Sequence, residues 1–128
     1  MNVLDKKSAL QKLHSGLPII FQTDTLPAIG CLPKFFEIIY KIKKRDKNKP
    51  LILMGAENCQ FDNLVHKSAL NDYKCMASKY WPGPLTIIIP ISEKTKSLLP
   101  SFNLTLGLRI PDSRMAKHLL KESGPLLT

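Results

Sequence analysis

The chain has 128 residues, 44% hydrophobic and 23% charged, which suits one domain around a single core and is too short for two. Lys and Arg number 19 against 10 Asp and Glu, a net charge of +9, and no apolar stretch approaches the ~20 residues of a membrane helix. Cys31, Cys59 and Cys75 are widely spaced without a C-x-x-C and the N-terminus lacks the apolar core of a secretion signal, which excludes a disulfide frame or zinc domain and predicts a reduced, cytoplasmic protein.

Asp5 to Ser15 reads as a short helix with Ala9, Leu10 and Leu13 on one face, and Gly16 sits where helices commonly stop. Pro18 to Phe21 is a candidate buried strand with paired isoleucines. Gln22-Thr23-Asp24-Thr25-Leu26-Pro27 follows it, and small polar residues at the end of a buried strand suit ligand groups. Pro33 can open the next helix, with Phe35, Ile38, Ile39 and Ile42 inward. Asn48-Lys49-Pro50 ends that segment, and Leu51 to Gly55 reads as a second strand. A turn of helix is expected over Phe61 to Val65. A clearer helix runs from Ser68 to Tyr80, with Ala69, Tyr73, Met76, Ala77 and Tyr80 spaced by three or four. Trp81-Pro82-Gly83-Pro84 must break it. Leu85 to Ile91 is the strongest strand signal, and Leu104 to Ile110 is another, ended by Pro111. Ser113 to Ser123 is a final helix with Met115, Leu119 and Leu120 inward, and Pro125 to Thr128 looks like the start of a strand. Strands alternating with helices indicate a layered α/β domain.

The charge is concentrated. Lys41, Lys43, Lys44, Arg45, Lys47 and Lys49 face only Asp46 within nine residues, a local net of +5. Such a cluster favours a polyanion, either a nucleotide or an RNA backbone. It also fits a solvated helix end with cations placed to suit the dipole. The usual catalytic constellations are missing: His14, His66 and His118 lie far apart without ligand partners at metal spacing, and there is no G-x-S-x-G, P-loop or G-x-G-x-x-G. Thr23, Asp24 and Thr25 have no neighbouring base to activate a nucleophile. The chemistry therefore rests on holding a ligand among hydroxyls and cations. Lys43-x-Arg45 with Lys49 can share a string of phosphates. On a strand, Thr105, Gly107 and Arg109 line one face while Leu106 and Leu108 enter the core, and Gly107 leaves a hollow. Trp81 reads as a core anchor at a helix-to-strand turn.

Four ordered blocks resemble the YrdC family of threonylcarbamoyl-AMP synthases. They are Gln22-Thr23-Asp24-Thr25, where the family has P-T-D-T; Ile42-Lys43-Lys44-Arg45 followed by Lys49-Pro50-Leu51; Trp81-Pro82-Gly83-Pro84-Leu85-Thr86; and Gly107-Leu108-Arg109-Ile110-Pro111. The resemblance spans residues 16–128. It implies one domain over residues 1–128, incomplete at its C-terminal end, with a twisted mixed sheet and flanking helices around a basic concave site. In such enzymes threonine's amine takes up bicarbonate or CO2, and the carbamate attacks the α-phosphorus of ATP and releases pyrophosphate. Carried over, Thr25 would contact L-threonine and Arg109 its carboxylate or carbamate. Lys43, Arg45 and Lys49 would bind the triphosphate and Thr105 the nucleotide. Magnesium would ride on the phosphates, with no metal site on the protein itself.

The departures from the family are Gln22 for proline, Leu26-Pro27-Ala28-Ile29 in place of an aromatic and a glycine, and a chain that stops short of the family's S-x-N loop. The missing loop leaves a non-catalytic remnant as an alternative, and the +9 charge leaves an RNA-binding module for tRNA or double-stranded RNA. Ending at Thr128 is also expected to leave a neighbouring strand edge unpaired, favouring self-association, such as a homodimer.

Overall fold

The computed structural model describes residues 3–97 and 104–128. Helix α1 (Lys6–His14) is capped by Asp5, whose carboxylate accepts from the Ser8 amide at 2.7 Å, and buries Ala9 and Leu13 as expected. Strand β1 (Ile19–Phe21) buries Ile19 and Phe21. The paired isoleucines are not both inward, because alternation along a strand turns Ile20 to solvent. β1 pairs antiparallel with β2 (Ala28–Gly30), a strand the sequence does not announce.

Pro33 opens a 3₁₀ turn (Pro33–Phe35), and α2 (Glu37–Lys43) follows with Ile39 and Tyr40 buried. Ile42 is half exposed, against expectation. Helix α2 has only seven residues and ends as Lys44 adopts a left-handed conformation, φ 50°. Strand β3 (Ile52–Met54) comes next. The expected helical turn lies earlier, as a 3₁₀ turn over Asn58–Gln60, and Phe61 is instead fully buried. A 3₁₀ turn (Lys67–Ala69) leads into α3 (Leu70–Tyr80), which buries Tyr73 and Ala77 and leaves Met76 and Tyr80 half exposed. Strand β4 (Ile87–Pro90), the short α4 (Glu93–Lys96), β5 (Thr105–Arg109), α5 (Arg114–Ser123) and β6 (Leu126–Leu127) complete the order. On α5 Ala116, Leu119 and Leu120 are buried while Met115 is exposed, another correction to the expected stripe.

Four strands form a mixed sheet in the order β4-β5-β3-β6, with β3 and β5 parallel and both outer pairs antiparallel. Leu53, Leu106, Leu108, Ile87 and Ile89 share one core with Ile39 and Tyr40 of α2 and Tyr73 and Ala77 of α3. Met54 and Leu126 join Ala9 and Leu13 of α1, Leu119 and Leu120 of α5, and Ile19 and Phe21 in a second. The sheet therefore carries helices on both sides, the layered α/β architecture read from the alternation of elements.

The C-terminal residues are bonded on two sides. Thr128 exchanges backbone hydrogen bonds with Ile52, and Leu127 exchanges them with Cys31 at 2.9 and 3.0 Å. The expected strand at residues 125–128 is β6, paired with β3, and the same residues tie the β1–β2 hairpin to the sheet. No helix among the described residues is long and apolar enough to cross a membrane.

Candidate functional site

The site grows from the turn between β1 and β2. The Thr23 hydroxyl accepts from the Thr25 amide at 3.0 Å and donates to the Leu26 carbonyl at 2.8 Å, closing the turn from inside. That fold of the chain projects Asp24 and Thr25 toward the C-terminal end of β5, where Arg109 stands. Arg109 Nη2 forms an ion pair with Asp24 Oδ1 and donates to Thr25 Oγ1 at 3.3 Å. Its Nε donates to the Gly83 carbonyl at 3.1 Å. The side chains of Arg109 and Asp24 are 9% and 13% exposed, so the charge is compensated where water cannot do it.

The Trp81–Thr86 turn supplies the other wall. Trp81 packs on Phe61 and Tyr73, with centroids 5.7 and 5.9 Å away, and its indole donates to the Leu85 carbonyl at 2.8 Å. It is the core anchor expected of it. The Trp81–Pro82 peptide is cis. The Gly83 amide donates to the Ile110 carbonyl at 2.9 Å. A Cβ at Gly83 would lie 2.8 Å from the Tyr80 carbonyl oxygen, so the close approach requires glycine.

The expected hollow at Gly107 is filled. A Cβ there would meet the Thr86 methyl at 3.1 Å, so Thr86 already covers that part of the strand. Thr105 is exposed at the start of β5 and Arg109 is buried at its end, about 13 Å apart at the rise of a strand. A small cleft of about 160 Å³ lies among Ala56–Asn58, Trp81–Pro82, Ile110 and Lys117, but it holds none of the expected ligand-binding residues.

Lys43, Arg45 and Lys49 form a separate group at the end of α2. The left-handed Lys44 redirects the chain, and the Arg45 amide donates to the Tyr40 carbonyl at 3.0 Å. Tyr40 in turn donates its phenol to the Lys49 carbonyl at 2.6 Å, closing the basic loop onto the core. Burial pushes the Tyr40 phenol up, opposed by Arg45. Partial desolvation and the nearby Arg45 hold the Lys43 ammonium below the ordinary lysine range. Among the described residues, none of the six cations between Lys41 and Lys49 pairs with a carboxylate. No hydrogen bond or ion pair joins them to Thr25, Thr105 or Arg109. Nor do the described residues contain three His, Cys, Asp or Glu side chains gathered as a metal site. Sequence reasoning placed Asp24 in the Gln22–Thr25 motif block but gave it no role in the site. Its signals were that block and its position as the sole acidic residue in the polar turn.

The Sua5/YciO/YrdC family, described as telomere recombination, matches residues 11–128. The chain belongs to this family. All four motif blocks lie inside that span. The threonylcarbamoyl-AMP synthase of Idiomarina loihiensis is 30% identical over 125 residues, covering 94% of this chain and 67% of that one. The synthase of Serratia proteamaculans is 28% identical over 124 residues, covering 93% and 66%. A double-substituted variant of P. abyssi Sua5 superposes with a TM-score of 0.85 at 25% identity, covering 97% of this chain and 40% of that one. P. abyssi Sua5 complexed with L-threonine gives the same TM-score at 24% identity, covering 98% and 39%. E. coli YciO gives 0.77 at 24%, covering 98% and 64%. This family member thus spans about two thirds of its curated relatives and about two fifths of the Sua5 chain.

Proposed function

We propose that this chain binds ATP and L-threonine and forms threonylcarbamoyl-AMP, the activated precursor for threonylcarbamoyladenosine in tRNA. The observation that carries the reading is the division of labour within the family's motif blocks. One group is a hydrogen-bonded unit in which an exposed Thr25 meets the largely buried Asp24–Arg109 pair, and the other is an open set of cations unpaired among the described residues.

Thr25 and Arg109 take threonine, the guanidinium meeting its carboxylate or carbamate. Lys43, Arg45 and Lys49 take the triphosphate, and Thr105 the nucleotide. Threonine nitrogen bonds to the carbon of CO2 and gives up a proton to solvent to leave the carbamate; starting from bicarbonate, a C–O bond also breaks and water leaves. A carbamate oxygen then attacks the α-phosphorus, the bond to the bridging oxygen breaks, and pyrophosphate leaves with that electron pair. Both reacting groups belong to substrates, so the protein contributes proximity and neutralisation of developing phosphate charge. This accounts for a site without a nucleophile–base pair. Magnesium would sit on the phosphates: Asp24 is engaged by Arg109 and the described residues gather no three His, Cys, Asp or Glu side chains, which does not suit a protein cage for the ion.

Calorimetric titration with ATP and L-threonine, followed by pyrophosphate release with bicarbonate present, tests the reading. Binding of both ligands and release dependent on threonine are expected; an absence of ATP binding would overturn it. Polyanion binding to RNA is the second reading, favoured by the same unpaired cations. Base stacking has limited support: Tyr40 and Tyr73 are both buried, which leaves the half-exposed Tyr80, next to Lys79, as the one tyrosine accessible to a base. RNA held by phosphates alone should dissociate steeply with salt.

A further inference from the structure

The loop that carries Lys44, Arg45, Lys47 and Lys49 is largely exposed, yet its backbone is held at three points. Tyr40 provides two of them. Its carbonyl accepts from the Arg45 amide at 3.0 Å, and its phenol donates to the Lys49 carbonyl at 2.6 Å. One residue of α2 therefore staples both ends of the loop. The ring is fixed in turn: it is 7% exposed and meets Phe36 edge-on, with centroids 6.4 Å apart.

Asp46 provides the third point. It is the one carboxylate in the run, with six cations within five residues of it. Among the described residues it pairs with none of them. Its Oδ1 accepts instead from the Asn48 amide at 3.0 Å, while its carbonyl accepts from the Lys49 amide at 3.0 Å. An aspartate at the first position of a turn closes it by such a bond. As a charge, Asp46 works against a polyanion; as a turn former, it sets the shape in which the cations are offered.

We propose that Tyr40 and Asp46 are positioning residues that fix the Lys44–Lys49 loop in its phosphate-binding shape before the ligand arrives. A loop already tied loses little further freedom on binding, so Arg45 and Lys49, at its two stapled ends, meet the phosphates preorganised. This deepens the nucleotide-binding reading above and rests on it for the identity of the ligand.

The test is calorimetric titration of the full chain with ATP and with inorganic tripolyphosphate. The proteins compared are native, Tyr40→Phe, Lys49→Ala, these two changes together, Asp46→Asn and Asp46→Ala. Tyr40→Phe keeps the buried ring and removes only the bond to Lys49, and should weaken both ligands about fivefold. With Lys49 already alanine, the same change should weaken them by about twofold or less, because it acts through that residue. A contribution to the fold alone would cost the same in both backgrounds. The aspartate variants separate shape from charge. Both remove the negative charge, and only asparagine keeps a side-chain acceptor for the turn. Asp46→Asn should bind at least as tightly as native, and Asp46→Ala about threefold more weakly.

Equal affinities for the two aspartate variants, or an unchanged Tyr40→Phe, overturn the positioning role and leave the function reading intact. Equal losses from Tyr40→Phe in both backgrounds do the same. If Tyr40→Phe loses the native circular dichroism, the variants at the exposed Asp46 decide alone. Tripolyphosphate bound without ATP overturns the function reading, and the loop is then judged on tripolyphosphate. Binding of neither overturns both.

Discussion

Two basic regions of this molecule solve the same problem in opposite ways. Arg109 is buried, so its charge has to be paired, and the pairing fixes the guanidinium between the Asp24 turn and the Gly83 turn. The Lys41–Lys49 segment is exposed apart from a half-buried Arg45, and its cations have no acidic partners among the described residues. Water hydrates them, and their side chains keep their reach. A rigid amino acid is best met by the first arrangement, and a flexible polyphosphate by the second. Function and stability are therefore fused at Arg109 and separable at Lys43 and Arg45.

The largest effect should come from breaking the buried pair. Arg109→Ala leaves Asp24 uncompensated and should lower unfolding free energy by about 3–5 kcal/mol in urea titrations; a loss under 1 kcal/mol would place the pair effectively in solvent. Next is a pH signature of the buried half. Burial pushes the Cys31 thiol up from 9.0 to about 11. Above pH 9 the unfolded chain releases this proton before the folded one, so stability should fall as pH rises from 9 toward 11, by roughly 2–3 kcal/mol at the top. Tyr40 and Tyr73, also pushed up by burial, add to the fall above pH 10. Lys43, held low, works in the opposite sense but is exposed. Chemical unfolding at stepped pH should show the fall beginning near pH 9, and Cys31→Ala should delay it toward pH 10. A delay absent in that variant would remove Cys31 as the cause.

Gly83→Ala sharpens the comparison at smaller scale. The added methyl meets the Tyr80 carbonyl oxygen and should cost about 1–3 kcal/mol, together with weaker threonine binding, because Arg109 loses its Gly83 partner. Smallest in stability are Lys43→Ala and Arg45→Ala. Each should change unfolding free energy by about 0.5 kcal/mol or less and still weaken ATP binding about tenfold, ~1.4 kcal/mol. Equal ATP affinity in these variants would remove them from the phosphate site.

The layered fold was legible because strand cores such as Leu53, Leu106 and Leu108 alternate with helices of clear period. Strand β2 was not: Ala28-Ile29-Gly30 has little intrinsic strand preference and exists because Ile19–Phe21 pairs with it. Periodicity located the stripes of α2, α3 and α5 but misjudged their margins at Ile42, Met76, Tyr80 and Met115. A stripe's edge depends on what packs beside it, which periodicity does not contain. At the site, the motif blocks pointed to Thr25 and Arg109 individually. Their joining through Asp24 was out of reach, since Asp24 and Arg109 are 85 residues apart and only the β1–β2 hairpin brings them together. The hollow at Gly107 failed for a similar reason: Thr86, from the neighbouring turn, fills it.

The exchange of hydrogen bonds between Cys31 and Leu127 gives the protein a built-in chemical clock. Cys59 and Cys75 are exposed, whereas Cys31 is 0% exposed, behind the last strand. An alkylating reagent should consume the first two thiols at once. It can reach the third only when the tail lifts from the hairpin, so the rate of that slow modification reads out how often the seam opens. Ligands that grip the β1–β2 turn would slow the clock without touching the cysteine.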